Sequence, residues 1–295
     1  MKSYIKEFEI YLKETKKSSN NTLESYLRDV NQFAFYCDNL KMRAVSSIKQ
    51  NHISDYITSL TKAGKSTSTT TRVLASLRCY FAFLVAQGMC SSSPVIGVKQ
   101  TKTEKKLPEI LTSNEISVLL SQPDSNDLKG CRDKAMLELL YATGIKVSEL
   151  ISIKVSDLNL QIGILHLNND KSERIVPIYP EAVKALNNYC NNVREVVVLN
   201  EDTPELFTNM NGQPMTRQGL WKIIKYYADK ANIKKDITPH TIRHSFAAHL
   251  LENGAPLKDI QEILGHSDLS STQVYAQLMK NRYAQSYKKY HPMAR

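Results

Sequence analysis

The chain contains no run of about 18 apolar residues, so no segment has the length to cross a bilayer as a helix. Its first residues, MKSYIKEFEIYLKE, interleave charge with apolar side chains and lack the apolar middle of a signal peptide. Together these absences point to the cytoplasm. Cysteine is sparse: Cys37, Cys79, Cys90, Cys131 and Cys190 are odd in number and scattered, with no CxxC pair and no zinc-ligand spacing near a histidine cluster. A disulfide scaffold or structural zinc module is therefore not indicated, and reduced, mostly buried thiols are expected. Internal repeats and low-complexity tracts are also missing. Acidic residues are in deficit, 29 Asp and Glu against 39 Lys and Arg, for a formal charge of +10. Such a surface suits a polyanion, because it releases counterions from nucleic acid, but many basic proteins bind no DNA.

What is present is enough for two ordinary domains. The chain has 295 residues, 42% hydrophobic and 23% charged, the balance of a globular protein. Over the first 95 or so residues apolar side chains recur at helical spacing and no strand pattern appears. Tyr4, Ile5, Phe8, Tyr11 and Leu12 form one stripe. Leu23, Tyr26, Leu27, Val30, Phe33 and Ala34 form a second, after the capping-type stretch Asn20-Asn21-Thr22. Ile53, Tyr56, Ile57 and Leu60 precede Gly64; Val73, Leu74, Leu77, Phe81, Leu84 and Val85 precede Gly88. This predicts a compact four-helix domain over residues 1–98. Between its last two helices, KSTSTTTR places hydroxyls and two cations at a helix start, where they suit phosphate contacts or equally a solvated N-cap. Residues 99–108, with four lysines, one glutamate and no apolar stripe, read as a basic linker, either a hinge closing two domains around a duplex or a plain tether.

Residues 109–295 read as a larger, mostly helical domain. It opens on the capping box Thr112-Ser113-Asn114-Glu115, followed by a long helix from about Asp127 to Thr143. Between Gly163 and Ile178, ILHL and RIVPI flank the polar NNDKSE, predicting two short antiparallel strands. Helices resume near Pro180, and Asn211-Gly212 marks a turn. The expected fold class is thus mainly α, a small helical bundle plus a larger helical domain carrying a small antiparallel sheet.

The segment richest in chemistry is ITPHTIRHSFAAHLLENGAPLKDIQEILGHSDLSSTQVYAQL. His240 and Arg243, three apart, share a helix face. Gly254 ends that helix, a second runs to Leu264, Gly265-His266 turns the chain, and Tyr275 follows nine residues on. Any one of these residues is more often ordinary packing or surface; their order and spacing carry the signal. With ATGIKVSEL upstream (Ala142 to Leu150), these motifs resemble the tyrosine recombinase, or phage integrase, family, and within it the Xer type. The resemblance covers nearly the whole chain.

The resemblance implies a SAM-like core-binding domain, a catalytic domain, double-stranded DNA as substrate and no cofactor. Tyr275 would attack a phosphodiester to give a 3′-phosphotyrosyl link and a free 5′-hydroxyl, storing the bond energy so that neither ATP nor metal is needed. Arg243, a planar fork, would clamp two non-bridging oxygens of the transition state. His240 and His266 would donate to those oxygens or handle the tyrosine proton. The resemblance also implies a lysine on a mobile hairpin that protonates the leaving oxygen. Here that is Lys171, the one lysine in the NNDKSER turn, although the turn lacks the family's glycine and its lysine sits later. Glu149 matches an acidic residue that orients the first phosphate-binding cation.

At that first position the sequence departs from the pattern. GIRVSEL is expected and GIKVSEL stands, so Lys146 keeps the charge and loses the fork. Either a natural variant tolerates lysine or the residue was introduced to stall the reaction on DNA. DNA binding is expected intact and cleavage slowed, by about 100-fold or more for one lost clamp. His249 should face away from His240, while His244, one turn from His240, is not excluded by geometry but has no role in the motif. Lys65, Arg72, Arg78, Arg217, Lys222 and Lys225 are candidate DNA-facing cations. For the basic tail MKNRYAQSYKKYHPMAR the resemblance implies docking into a neighbouring subunit, coupling cleavage around a tetramer (of this chain alone or with a sister recombinase), while the sequence alone also allows a frayed end that contacts DNA. Chromosome-dimer resolution and mobile-element integration both remain open; short length and the absence of an arm-binding domain favour the former. The competing readings are a DNA-binding protein of this fold that has lost its chemistry at Lys146, and a type IB topoisomerase.

Overall fold

The computed structural model describes residues 2–42, 44–98, 108–169, 172–198, 203–266, 268, 271–278, 280 and 287. The expected linker, Pro108 apart, and Lys171 lie outside the described residues, as does most of the basic tail. The chain divides into two compact units, Met1–Lys105 and Lys106–Arg295.

The first unit is built from α1 (Lys2–Ile10), extended by a π-helical turn (Tyr11–Thr15), α2 (Asn20–Asn39), α3 (Gln50–Lys62) and α4 (Thr67–Ala86). At 20 residues each, α2 and α4 are long enough to span the unit, about 30 Å. They face one another through the apolar stripes seen in the sequence. Phe8, Phe33, Tyr80 and Phe81 are fully buried, and edge contacts such as Phe8 on Tyr80 at 5.1 Å set their angles. Ser19, rather than the Asn20-Asn21-Thr22 stretch, caps α2, because those three residues already belong to the helix; Ser66 caps α4 in the same way. One polar tie crosses this apolar interface. Asp29 of α2, 1% exposed, accepts from Arg72 and, at 2.7 Å, from the Ser76 hydroxyl of α4.

The second unit is organised on α6 (Leu128–Thr143), buried on almost every side, after α5 (Ser113–Leu120). Asp127 caps α6 by accepting from Gly130 N–H at 2.7 Å. Gly144 stops it at φ 57°, where a β-carbon would lie 2.2 Å from the Phe246 ring. After α7 (Val147–Leu150) come β1 (Leu158–Asn159), β2 (Ile164–Asn169) and β3 (Ser172–Pro177), antiparallel in that order. Leu165 opposes Val176 and Leu167 opposes Arg174, so these four share the inward face. The sequence pattern anticipated β2 and β3. It gave no sign of β1, which is two residues long. Next come α8 (Pro180–Tyr189), the single turn α9 (Glu195–Val197), α10 (Arg217–Lys230), α11 (Pro239–Glu252) and α12 (Leu257–Leu264). Residues 271–278 are helical as well. All five cysteines are free thiols, three of them buried. No helix among the described residues is long and apolar enough to cross a membrane.

Candidate active site

Helix α11 supplies the largest share of the site. Thr238 caps it by accepting from Thr241 N–H at 3.2 Å, and Pro239, with no N–H to satisfy, takes the first helical position. Three and four residues apart, His240, Arg243 and His244 then lie along one face. His240 is exposed at the first turn. Arg243 is 4% exposed and its guanidinium donates to Gly144 O at the end of α6 and to Leu264 O at the end of α12, the latter at 2.7 Å. These contacts fix the fork where three helix ends meet. Burial draws the Arg243 pKa down, opposed by Glu149 and Tyr275.

Helix α12 closes on Gly265 at φ 62°, which turns the chain so that His266 faces the same centre. His266 Nδ1 lies 3.0 Å from the Thr272 hydroxyl. Its pKa falls to about 4, first through burial and then through Arg243, Lys146, His244 and Arg174. Residues separated by up to 120 positions thus bear on one imidazole. Tyr275, on the 271–278 helix, is 1% exposed and packs among Phe246, Ala247, Ile260 and Leu264. Its hydroxyl sits 2.8 Å from Nδ1 of His244. Burial raises the phenol pKa despite the pull of Arg243, so the hydroxyl is protonated at neutral pH.

The expected first cation, Lys146, caps α7 and is exposed; its side chain forms no ion pair among the described residues. Glu149, 6% exposed, accepts the Lys146 backbone N–H at 2.8 Å. Its main partner is Arg174 of β3, whose two terminal nitrogens reach its two oxygens at 3.1 and 2.9 Å. Burial works to raise this carboxyl, but Arg174 and the Lys146 N–H outweigh it and hold it below the usual carboxylate range. Arg174 also donates Nε to Ile263 O at 2.9 Å and lies against Gly265, where a β-carbon would sit 2.7 Å from its guanidinium. One side chain therefore joins α7, the β2–β3 hairpin and the His266 turn.

The structure brings together His240, Arg243, His266, Tyr275, Lys146 and Glu149, and adds Arg174 and His244. The signal for Arg174 was the period of two in RIVPI, which puts a charged residue on the same face as Val176. That for His244 was its place one turn from His240. His249 stands apart, between Leu111 O and the Tyr141 hydroxyl, each at 2.9 Å. Of the candidate DNA-facing cations, Lys65, Arg78, Arg217 and Lys222 are exposed. Arg72 is engaged by Asp29, and Lys225 by Asp236 with Trp221 beside it, because each has a carboxylate within reach on its own unit.

Comparison with known proteins covers both units. The phage integrase family profile matches residues 109–282, and the phage integrase N-terminal SAM-like domain matches residues 5–88. The tyrosine recombinase XerD of Staphylococcus haemolyticus is 40% identical over 295 residues, 100% of both chains. XerD of Halalkalibacterium halodurans is 41% identical over 278 residues, 94% of this chain and 93% of its own. In fold, the chain resembles the XerH site-specific recombinase bound to palindromic difH substrate in a post-cleavage complex. The TM-score is 0.76 at 20% identity, covering 96% of this chain and 84% of that one.

Proposed function

The chain belongs to the phage integrase family as an Xer-like site-specific tyrosine recombinase that acts on DNA, and we propose that Tyr275 is the nucleophile with which it breaks and rejoins each strand. The observation that carries this assignment is one buried phenol, held by His244 and felt by Arg243, in a cluster where His240 bears on His244 and Lys146 and Arg243 bear on His266. Attack by Oη on phosphorus forms a 3′-phosphotyrosyl diester and frees a 5′-hydroxyl, conserving the bond for rejoining. Arg243 binds non-bridging oxygens, with a guanidinium already held in place by two carbonyls, so little reorganisation accompanies charge development. His240 and His266 donate to the same oxygens. Lys171 protonates the leaving oxygen. Glu149 acts on the cation side of the site through the Lys146 N–H and Arg174.

Lys146 meets the phosphate as a point charge without a fork, and this supports slow cleavage beside intact binding. Full-length similarity to XerD favours chromosome-dimer resolution over integration of a mobile element, with paired strand exchanges through a Holliday junction in a tetramer on two DNA sites. Such work would be done in the cytoplasm.

The test is a suicide DNA substrate resolved on a denaturing gel. A covalent adduct that Tyr275→Phe abolishes supports the nucleophile. Lys146→Arg should raise adduct formation by about 100-fold; equal rates would remove Lys146 as the brake. The exposed, forkless Lys146 also favours a second reading, a DNA-binding protein of this fold without chemistry. Absence of adduct from both the parent chain and Lys146→Arg would establish that reading instead.

A further inference from the structure

Among the described residues, the one hydrogen-bonding partner of the Tyr275 hydroxyl is His244, at 2.8 Å from Nδ1, with the two rings 5.6 Å apart. The other two histidines of the site are placed differently. His266 turns Nδ1 to Thr272, and His240 is exposed, its ring 6.5 Å from that of His244. The tyrosine proton therefore has one nearby acceptor, and it lies in the arginine motif without belonging to the residues the motif names.

The electrostatics agree with the geometry. Burial, then His240 and Arg243, push His244 down to about 4, so the imidazole is neutral at physiological pH and has a free lone pair. His240 and Arg243 face it from α11, Tyr275 from the 271–278 helix, and His266 from the turn after α12. With the phenol protonated and the imidazole neutral, Tyr275 O–H donates and Nδ1 accepts.

We infer that His244 is a catalytic residue, the general base that takes the Tyr275 proton as Oη attacks phosphorus. The inference rests on the assignment of Tyr275 as nucleophile. In the step, the Oη–H bond breaks and Nδ1–H forms, while an Oη lone pair makes the new bond to phosphorus. The bond from phosphorus to the 5′ oxygen breaks, its electron pair leaves with that oxygen, and the oxygen takes a proton from the Lys171 ammonium. Neutral histidine becomes imidazolium and the ammonium becomes an amine, so charge balances. Rejoining runs the same transfers backwards. In the DNA-free site the proton transfer is opposed by the burial of both partners, and Arg243, which favours the phenolate, disfavours the imidazolium that must form beside it. A bound phosphate supplies the negative charge that offsets a new imidazolium, which confines ionisation of Tyr275 to the DNA complex.

The experiment is single-turnover cleavage of a suicide substrate, in the parent and Lys146→Arg backgrounds, across pH 6 to 9. His244→Asn places an amide oxygen near the Nδ1 position, keeping an acceptor that cannot carry the proton; His244→Ala removes both. Each should cleave roughly 100-fold more slowly, with a rate that climbs with pH as hydroxide replaces the lost base. A substrate with a 5′-bridging sulfur, which leaves without a proton, should rescue Lys171→Ala but neither His244 variant. Gel-shift binding and thermal melting confirm that each variant is folded, and His244→Gln stands in should one not be. His244→Asn cleaving like its parent, or being restored by the sulfur substrate, would overturn the inference. In either case an inert Tyr275→Phe would leave the nucleophile assignment standing, whereas an adduct from Tyr275→Phe would overturn that assignment itself.

Discussion

At the scale of single residues, Arg174 and Glu149 form a buried pair whose worth lies in what would be stranded without it. Removing one partner of such a pair leaves an uncompensated charge, at a cost of about 3–5 kcal/mol. Arg174→Ala should therefore destabilise the second unit by that order and cut cleavage, read by urea unfolding and by adduct formation. Arg174→Lys should recover only part, since an ammonium cannot span both Glu149 oxygens and Ile263 O together. Unchanged stability in Arg174→Ala would mean that Glu149 takes up a proton or another cation. The same pair explains the glycine before His266. Its left-handed φ of 62° favours glycine, and the space a methyl group would need is filled by the Arg174 guanidinium.

At the scale of elements, the site is a meeting of helix ends, and those ends are where substitution should be felt. Gly144→Ala puts a β-carbon into the Phe246 ring at a φ of 57°. The expected loss is about 1–3 kcal/mol, with slower cleavage because Gly144 O also receives Arg243. A melt and a cleavage rate equal to the parent's would contradict this. The helices that bring these ends together were legible in the sequence, since apolar spacing, Thr112, Asp127 and the terminal glycines are local signals. β1 was not, because two residues carry no period. Nor were the partners of Tyr275 and Glu149. Both depend on how α7, β3, α11 and the 271–278 helix pack, and spacing along one element says nothing of the element opposite. The motif led to His240 and His266 as handlers of the tyrosine proton; packing put His244 nearest to it.

At the scale of the molecule, pH and salt act on different parts. His244 and His266, both in the second unit, fall from 6.5 to about 4 on folding, so the unfolded chain binds more protons between those values. Stability from these groups is complete above about pH 6.5 and is lost as pH falls toward 4. Thermal melts should show the second unit's transition dropping by several degrees between pH 7 and pH 5, and a flat profile would place both imidazoles in water. DNA affinity should fall steeply with salt, as a charge of +10 implies. Finally, Leu111 donates its N–H to the Ser245 hydroxyl at 2.8 Å and its carbonyl meets His249 at 2.9 Å. The start of the second unit's described residues is thus pinned to α11 within two turns of Arg243 and His244. A fragment cut to begin at residue 113 would leave Ser245 and His249 short of partners inside the core and loosen the catalytic helix at its centre. One beginning at 106 would keep both, so the usable start of an isolated catalytic fragment is fixed by a single leucine's peptide groups.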